Sequence, residues 1–164
     1  MKKLYLIGGP MGVGKTTACR ALQARLDNCV FLDGDWCWDM RSFQVTEETK
    51  GMVLDNICHL LNNFLRCSAC ENVLFCWVMH EQSIIDHILG RLDTRGCEAV
   101  AVSLVCDEGM LRQRLQRDID RGLRTPDVIP RSLERLTHYG ALNTVRLDTT
   151  GMTPEDTAEA IGRL

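Results

Sequence analysis

The chain has 164 residues and 18.5 kDa, the size of one ordinary domain, and its 45% hydrophobic and 25% charged residues exclude disorder, collagen and coiled coil. A formal charge of −3 and a pI near 5.8 leave no basic field to hold a nucleic-acid polymer, so any anionic ligand has to be held locally. The longest apolar run, residues 73–79, is far short of the roughly 20 residues a spanning helix needs, so no membrane partner is expected.

In chain order, residues 4–7, 30–32, 73–78, 100–105 and 144–147 read as five short strands, too continuously apolar for a sheet with one wet face. Met1-Lys-Lys before the first of these has the basic start of an export signal. Its apolar stretch is short and runs into glycines without a cleavage pattern, so the chain is read as cytoplasmic. Nine cysteines fit that reducing setting as small buried hydrophobes, and Cys67-Ser-Ala-Cys70 lacks the second pair that would complete a zinc site.

Between the strands, apolar residues recur four apart: Ala18, Leu22 and Leu26; Val53, Ile57 and Leu61; Ile84, Ile88 and Leu92; Leu111, Leu115 and Ile119. Each set is the buried stripe of an amphipathic helix. Leu133 and Leu136 mark a further helix, and Thr153-Pro154-Glu155-Asp156 caps the last one. Strand and helix alternate as in an α/β fold built from βαβ crossovers: a five-stranded parallel sheet with helices on both faces, in one domain spanning 1–164. Ligands of such sheets collect at the carboxyl ends of the strands.

After the first strand, Gly9, Gly14, Lys15 and Thr16 fit G-x-x-x-x-G-K-[ST]. Glycines let successive N–H groups turn inward around phosphate oxygens, and the helix that follows adds its positive end. Gly9, Met11, Gly12, Val13, Gly14, Lys15, Thr16 and Thr17 are therefore the expected nucleotide contacts. Lys15 would reach the β and γ phosphates, and Thr16 would put its hydroxyl on Mg²⁺.

The second strand ends in Phe31-Leu32-Asp33-Gly34-Asp35-Trp36, two carboxylates one residue apart beside the phosphate loop. One suits Mg²⁺ or its waters, and the other suits the proton of an attacking hydroxyl. A solvated Asp-Gly turn is the plainer alternative.

With its short P-loop and D-x-D, the sequence resembles the small-molecule kinases of the nucleoside-monophosphate-kinase-like fold, the shikimate kinase and gluconate kinase group. Phe-Leu-Asp-Gly-Asp is especially similar to gluconate kinases. The resemblance implies ATP and Mg²⁺ as cofactors, Asp33 supporting the metal, Asp35 activating the acceptor hydroxyl, and a three-layer P-loop fold with a small lid. Gluconate kinases continue with His-Pro where this chain has Trp36-Cys37-Trp38-Asp39-Met40-Arg41, so gluconate itself is not the expected acceptor.

Trp36, Trp38 and Arg41 are the expected acceptor wall, with packing tryptophans and a surface arginine as the alternative. The third strand ends without the acid of a Walker B motif, and His80, Glu81 and Gln82 follow at its carboxyl end. His80 is a candidate acceptor contact. Arg114, Arg117, Arg121 and Arg124 share one face at 100° per residue, beside the stripe of Leu111 and Leu115. They are either a solvated face paired with Asp118 and Asp120 or, as the resemblance implies, part of a lid at about 117–130. In that role Arg117 and Arg121 serve catalysis, Arg114 and Arg117 the nucleotide, and Arg124 the acceptor. Related kinases place the loop after the fifth strand against adenine, which makes Thr150 a nucleotide contact.

The reading is an ATP-dependent kinase acting on the hydroxyl of a small-molecule acceptor, as a monomer or homodimer. A nucleoside or nucleotide kinase, and a nucleotide-binding regulator or weak ATPase, are the alternatives.

Overall fold

The computed structural model describes all residues, 1–164. Five strands, β1 (Lys2–Gly8), β2 (Cys29–Asp33), β3 (Asn72–Cys76), β4 (Cys97–Val105) and β5 (Val145–Asp148), form one sheet in the order β2-β3-β1-β4-β5. Every pairing is parallel. Six helices connect or flank them: α1 (Lys15–Gln23), α2 (Glu47–Arg66), α3 (Gln82–Arg91), α4 (Glu108–Asp120), α5 (Val128–Leu136) and α6 (Pro154–Gly162). Short 3₁₀ turns cover Gly34–Trp38 and Thr137–Ala141.

Strand periodicity explains the two cores. Alternate residues of β1 point to opposite faces: Tyr5 and Ile7 join Leu22 of α1, Leu111 and Leu115 of α4 and Ile161 of α6 in one cluster, while Leu4 and Leu6 join Val53, Ile57 and Leu61 of α2 and Ile88 of α3 in the other. A sheet covered on both sides has no wet face, which is why its strands read as apolar runs. The chain leaves β1 toward β2 on one side of the sheet and leaves the adjacent β3 toward β4 on the other. The crevice at the carboxyl ends of β1 and β3 is therefore the switch point where ligands bind in open α/β sheets.

The expected elements are all present, with local differences. Ladder pairing in β3 stops at Cys76 rather than residue 78, and Met79, buried, takes φ +35, the left-handed region that β-strand residues avoid. That kink is held by the Val78 carbonyl, which accepts from the Gly9 N–H (3.3 Å) and from the buried Tyr139 hydroxyl. In α3 the buried residues are Ile85 and Ile88, so the helix is rotated from its expected stripe and Ile84 turns toward the cleft. Leu26 lies past the end of α1. No helix is long and apolar enough to cross a membrane, and all nine cysteines are free thiols.

Leu115 is fully buried, and its Cδ2 lies 2.6 Å from where a Cβ on Gly12 would sit. It thus supports the phosphate loop from below. Leu115→Ala is expected to cost about 2–5 kcal/mol, seen as a Tm about 5–15 °C lower in thermal denaturation.

Candidate active site

The loop between β1 and α1 is built for an anion. Gly14, in the left-handed region at φ +102, is the N-cap of α1 and offers no side-chain cap, and no acidic residue stands in the first turn. The first N–H groups of α1 are thus left to a ligand. Gly12, at φ +82, has Leu115 against it, so both backbone conformation and space demand glycine there. Arg114 of α4 donates to the Val13 carbonyl (2.8 Å), which pins the next helix to the loop. Lys15 Nζ donates to the carbonyls of Gly9 (2.7 Å) and Pro10 (3.0 Å), and the protein crowded around the ammonium lowers its pKa.

Asp33 ends β2 and is buried. Its Oδ2 accepts from Thr16 Oγ1 (2.8 Å) and its Oδ1 from the Asp35 N–H (3.0 Å). One carboxylate thereby joins the phosphate loop to the 3₁₀ turn that carries Asp35. A hydroxyl and a single carboxylate at the head of a phosphate loop are hard oxygen donors, and Mg²⁺ uses few protein ligands beside phosphate and water. Thr16 and Asp33 fit that ion, and no group of three or more His, Cys, Asp or Glu competes with them as a metal cage.

Asp35 opens into the cleft, and its Oδ1 accepts from the indole Nε1 of Trp77 (3.2 Å). The surrounding protein, then the nearby Asp33, raise its pKa above the ordinary carboxylate value, against the pull of Lys15 and Trp77. Gly34 between the two aspartates is required by space: a Cβ there would lie 2.5 Å from Trp77 Cγ. Trp77, read from the sequence only as part of an apolar strand, is therefore what shapes the D-G-D turn.

These groups line one cleft of about 1060 Å³, large enough for a nucleotide and an acceptor together. The phosphate loop, Asp33 and Asp35 line it together with Arg114, Arg117, Arg121 and Arg124. Arg124 pairs with Asp118 (3.0 Å), whereas Arg117 and Arg121 form no ion pair, and Asp120 accepts from Gln116 instead. α4 ends at Asp120, so Arg121 caps it and Arg124 lies beyond. Arg131 and Arg135, four apart on α5, also face the cleft; their spacing was visible in the sequence, but nothing there fixed which face of α5 turns inward.

His80 lines the cleft just past the Met79 kink, with Nε2 3.4 Å from Glu81 Oε1 and a buried Nδ1 that has no partner. Burial, and secondarily Arg135, lower its pKa, which favours the neutral ring.

Four expected contacts lie elsewhere: Gly9 is buried behind the loop, where its carbonyl accepts from Lys15 Nζ. Trp36 is half exposed, its ring edge-on to Phe31 (5.3 Å) with the Arg20 guanidinium over it (5.4 Å), because the 3₁₀ turn throws consecutive side chains apart. Arg41 is exposed in the following coil and does not line the cleft. The Thr150 hydroxyl is occupied by the Asp107 N–H (2.9 Å), and its neighbours Thr149 and Met152 line the cleft in its place. Trp38 does face the cleft, and so does Phe43 beside it.

The same architecture recurs in solved structures. The tunicamycin resistance protein of Deinococcus radiodurans aligns over 99% of this chain and 95% of its own with a TM-score of 0.77 at 20% identity. A gluconokinase from Sinorhizobium meliloti 1021 aligns over 98% and 92% with a TM-score of 0.70 at 19% identity. The shikimate kinase of Acinetobacter baumannii, solved with shikimate, aligns over 99% and 92% with a TM-score of 0.62 at 21% identity. Among curated proteins none matches the sequence.

Space at Gly34 is directly testable. Gly34→Ala is expected to cost about 1–3 kcal/mol through overpacking, whereas Gly51→Ala, in α2 with open space around it, gains about 0.5–1 kcal/mol; opposite shifts of Tm are the readout. A family model described as an AAA domain matches residues 6–126, more than half the chain and the stretch that holds the phosphate loop, both aspartates and the arginines of α4, and the chain belongs to that family of P-loop proteins.

Proposed function

We propose that this chain is an ATP-dependent kinase that transfers the γ-phosphoryl group of Mg²⁺-ATP to a hydroxyl of a small-molecule acceptor. The observation that carries this reading is the division of labour between two adjacent carboxylates. Asp33 is committed to Thr16 and the Asp35 N–H, while Asp35 keeps an oxygen open to the cleft. Gluconokinase and shikimate kinase, by name kinases of small hydroxyl compounds, share the fold and support the assignment.

The residues divide the work as follows. Backbone N–H groups of residues 11–17 and the Lys15 ammonium hold the phosphates, with the end of α1 adding positive potential. Thr16 Oγ1 and the Asp33 carboxylate, directly or through water, would hold Mg²⁺, which when bound neutralises charge on the phosphate oxygens. Asp35 accepts the proton of the acceptor hydroxyl as its oxygen bonds to the γ phosphorus; the bond to the bridging oxygen breaks, and its electron pair leaves with ADP. Arg117 and Arg121, free of carboxylate partners, face the charge that spreads over the equatorial oxygens. The stretch of about 117–130, from the last turn of α4 through the connecting loop into the first turn of α5, is the lid that brings them in, and Arg124 leaves Asp118 for the acceptor side as it closes. Trp38 and His80 bound the acceptor.

A second reading, a nucleotide kinase, is favoured by one observation: Arg135 faces the cleft from α5 without an ion pair, as a phosphate-bearing acceptor would need. Free thiols throughout suit a cytoplasmic enzyme.

Mg²⁺-ATP consumption across sugars, sugar acids, cyclic alcohols, nucleosides, nucleoside monophosphates and hydroxyl-bearing antibiotics tests both. Acceptor-dependent turnover should fall by about 10²-fold or more in Lys15→Ala and in Asp35→Asn. Turnover that needs no acceptor and survives Asp35→Asn would instead make the protein a weak ATPase or nucleotide-binding regulator.

The pH profile gives an independent check. Only ionised Asp35 can take the proton, and its raised pKa means this form is lost as pH falls through a value above the ordinary 3.9 or so. The acid limb of kcat/KM is expected above that value and to be missing from the residual activity of Asp35→Asn; a limb that persists unchanged in that variant would remove Asp35 as the base.

A further inference from the structure

Resting on that kinase reading, the acceptor half of the cleft allows its substrate class to be narrowed. Trp77 donates to the carboxylate of Asp35 through Nε1, so an indole edge stands at the point where the acceptor hydroxyl gives up its proton. Trp38 packs edge-on to Trp77, with ring centroids 5.8 Å apart and planes at 75°. Phe43 packs edge-on to Trp38 at 4.9 Å and 81°. A ladder of three rings thus starts at Asp35 and leads outward along the cleft, and Leu54 and Ile84 extend the same wall.

The outer part of this wall is not core. Phe43 and Val45 are each 57% exposed, on the coil between the 3₁₀ turn and α2, and both line the cleft. Large apolar side chains held over a polar reaction site, without burial of their own, are what a ligand's apolar surface covers. The ring faces themselves offer a polyol no hydrogen bonds, leaving it to Asp35, Lys50, His80 and Glu81 elsewhere in the cleft, while they offer a planar ring stacking or edge contact.

We propose that the acceptor is a ring-bearing alcohol, a small molecule whose phosphorylated hydroxyl is carried close to a planar apolar or heteroaromatic ring, and that Trp38, Phe43 and Trp77 recognise that ring. The hydroxyl sits at Asp35 and the ring lies along the ladder, so ring and hydroxyl are selected together. Phe43 is the residue through which selectivity can be removed with least disturbance, because it is exposed and outside both buried clusters.

The test compares matched acceptors differing only in the ring: methyl against phenyl β-glucoside, glycerol against 3-phenoxypropane-1,2-diol, and ribose against uridine, each with Mg²⁺-ATP. The ring-bearing member of a pair is expected to have a kcat/KM at least about tenfold higher, and Phe43→Ala to lower that ratio by about tenfold through KM with its Tm unchanged. Quenching of tryptophan emission by the same compounds in Asp35→Asn reports binding without turnover. If the ringless members are turned over as well as or better than their partners, the ring preference is overturned while the kinase reading stands. If no compound is phosphorylated here or in the wider acceptor panel, but only the ring-bearing ones quench tryptophan, the kinase reading fails and ring recognition stands. Absence of both turnover and quenching overturns the proposal.

Discussion

Asp33 uses both of its carboxylate oxygens at once, one on the Thr16 hydroxyl and one on the Asp35 N–H. Through that side chain the phosphate loop and the 3₁₀ turn after β2 become one object, although Thr16 and Asp33 are 17 positions apart in the chain. The sheet makes this geometry available: β2 reaches β1 only through β3, and all three strands run parallel, so their carboxyl ends open on the same crevice. Buried and doubly bonded, Asp33 is fixed in place, and the oxygen exposed to the cleft belongs to its neighbour Asp35.

The cleft around this object has two chemically distinct walls. One is cationic, made of arginines from α4 and α5, with Arg114 held on the Val13 carbonyl. On the other, Trp77, Trp38 and Phe43 form an apolar ladder. Asp35 lies where the walls meet, and that position raises its pKa: crowding protein and a neighbouring carboxylate both disfavour its charge. A carboxylate whose charge its surroundings disfavour is a stronger proton acceptor than one in bulk water, which suits the role proposed for Asp35.

Much of this was legible in the residues. The phosphate loop was readable because its spacing, the strand before it and the helix after it all obey the same constraint on backbone N–H groups. Asp33 and Asp35 were readable because D-G-D stood at a strand end. What the pattern could not convey was direction. Trp36 and Trp38 look equivalent as a pair, yet the 3₁₀ turn sends one to Phe31 and Arg20 and the other into the cleft. Trp77 was hidden within an apolar run, and only its fit against Gly34 reveals it as the residue that shapes the turn. Arg131 and Arg135 escaped because the facing of α5 depends on the path after α4 rather than on local periodicity. Thr150, chosen by analogy of loop position, is diverted by the Asp107 N–H.

The separation of roles between the two aspartates is the account's central claim, and calorimetric titration of Mg²⁺-ATP into Asp33→Asn and Asp35→Asn measures it most directly. With Asp33 holding Thr16 at the metal position and Asp35 reserved for the acceptor, Asp33→Asn should weaken Mg²⁺-nucleotide binding by about tenfold or more, while Asp35→Asn should leave it within about twofold of the unaltered protein. Equal weakening in the two variants, or weakening confined to Asp35→Asn, would contradict the account.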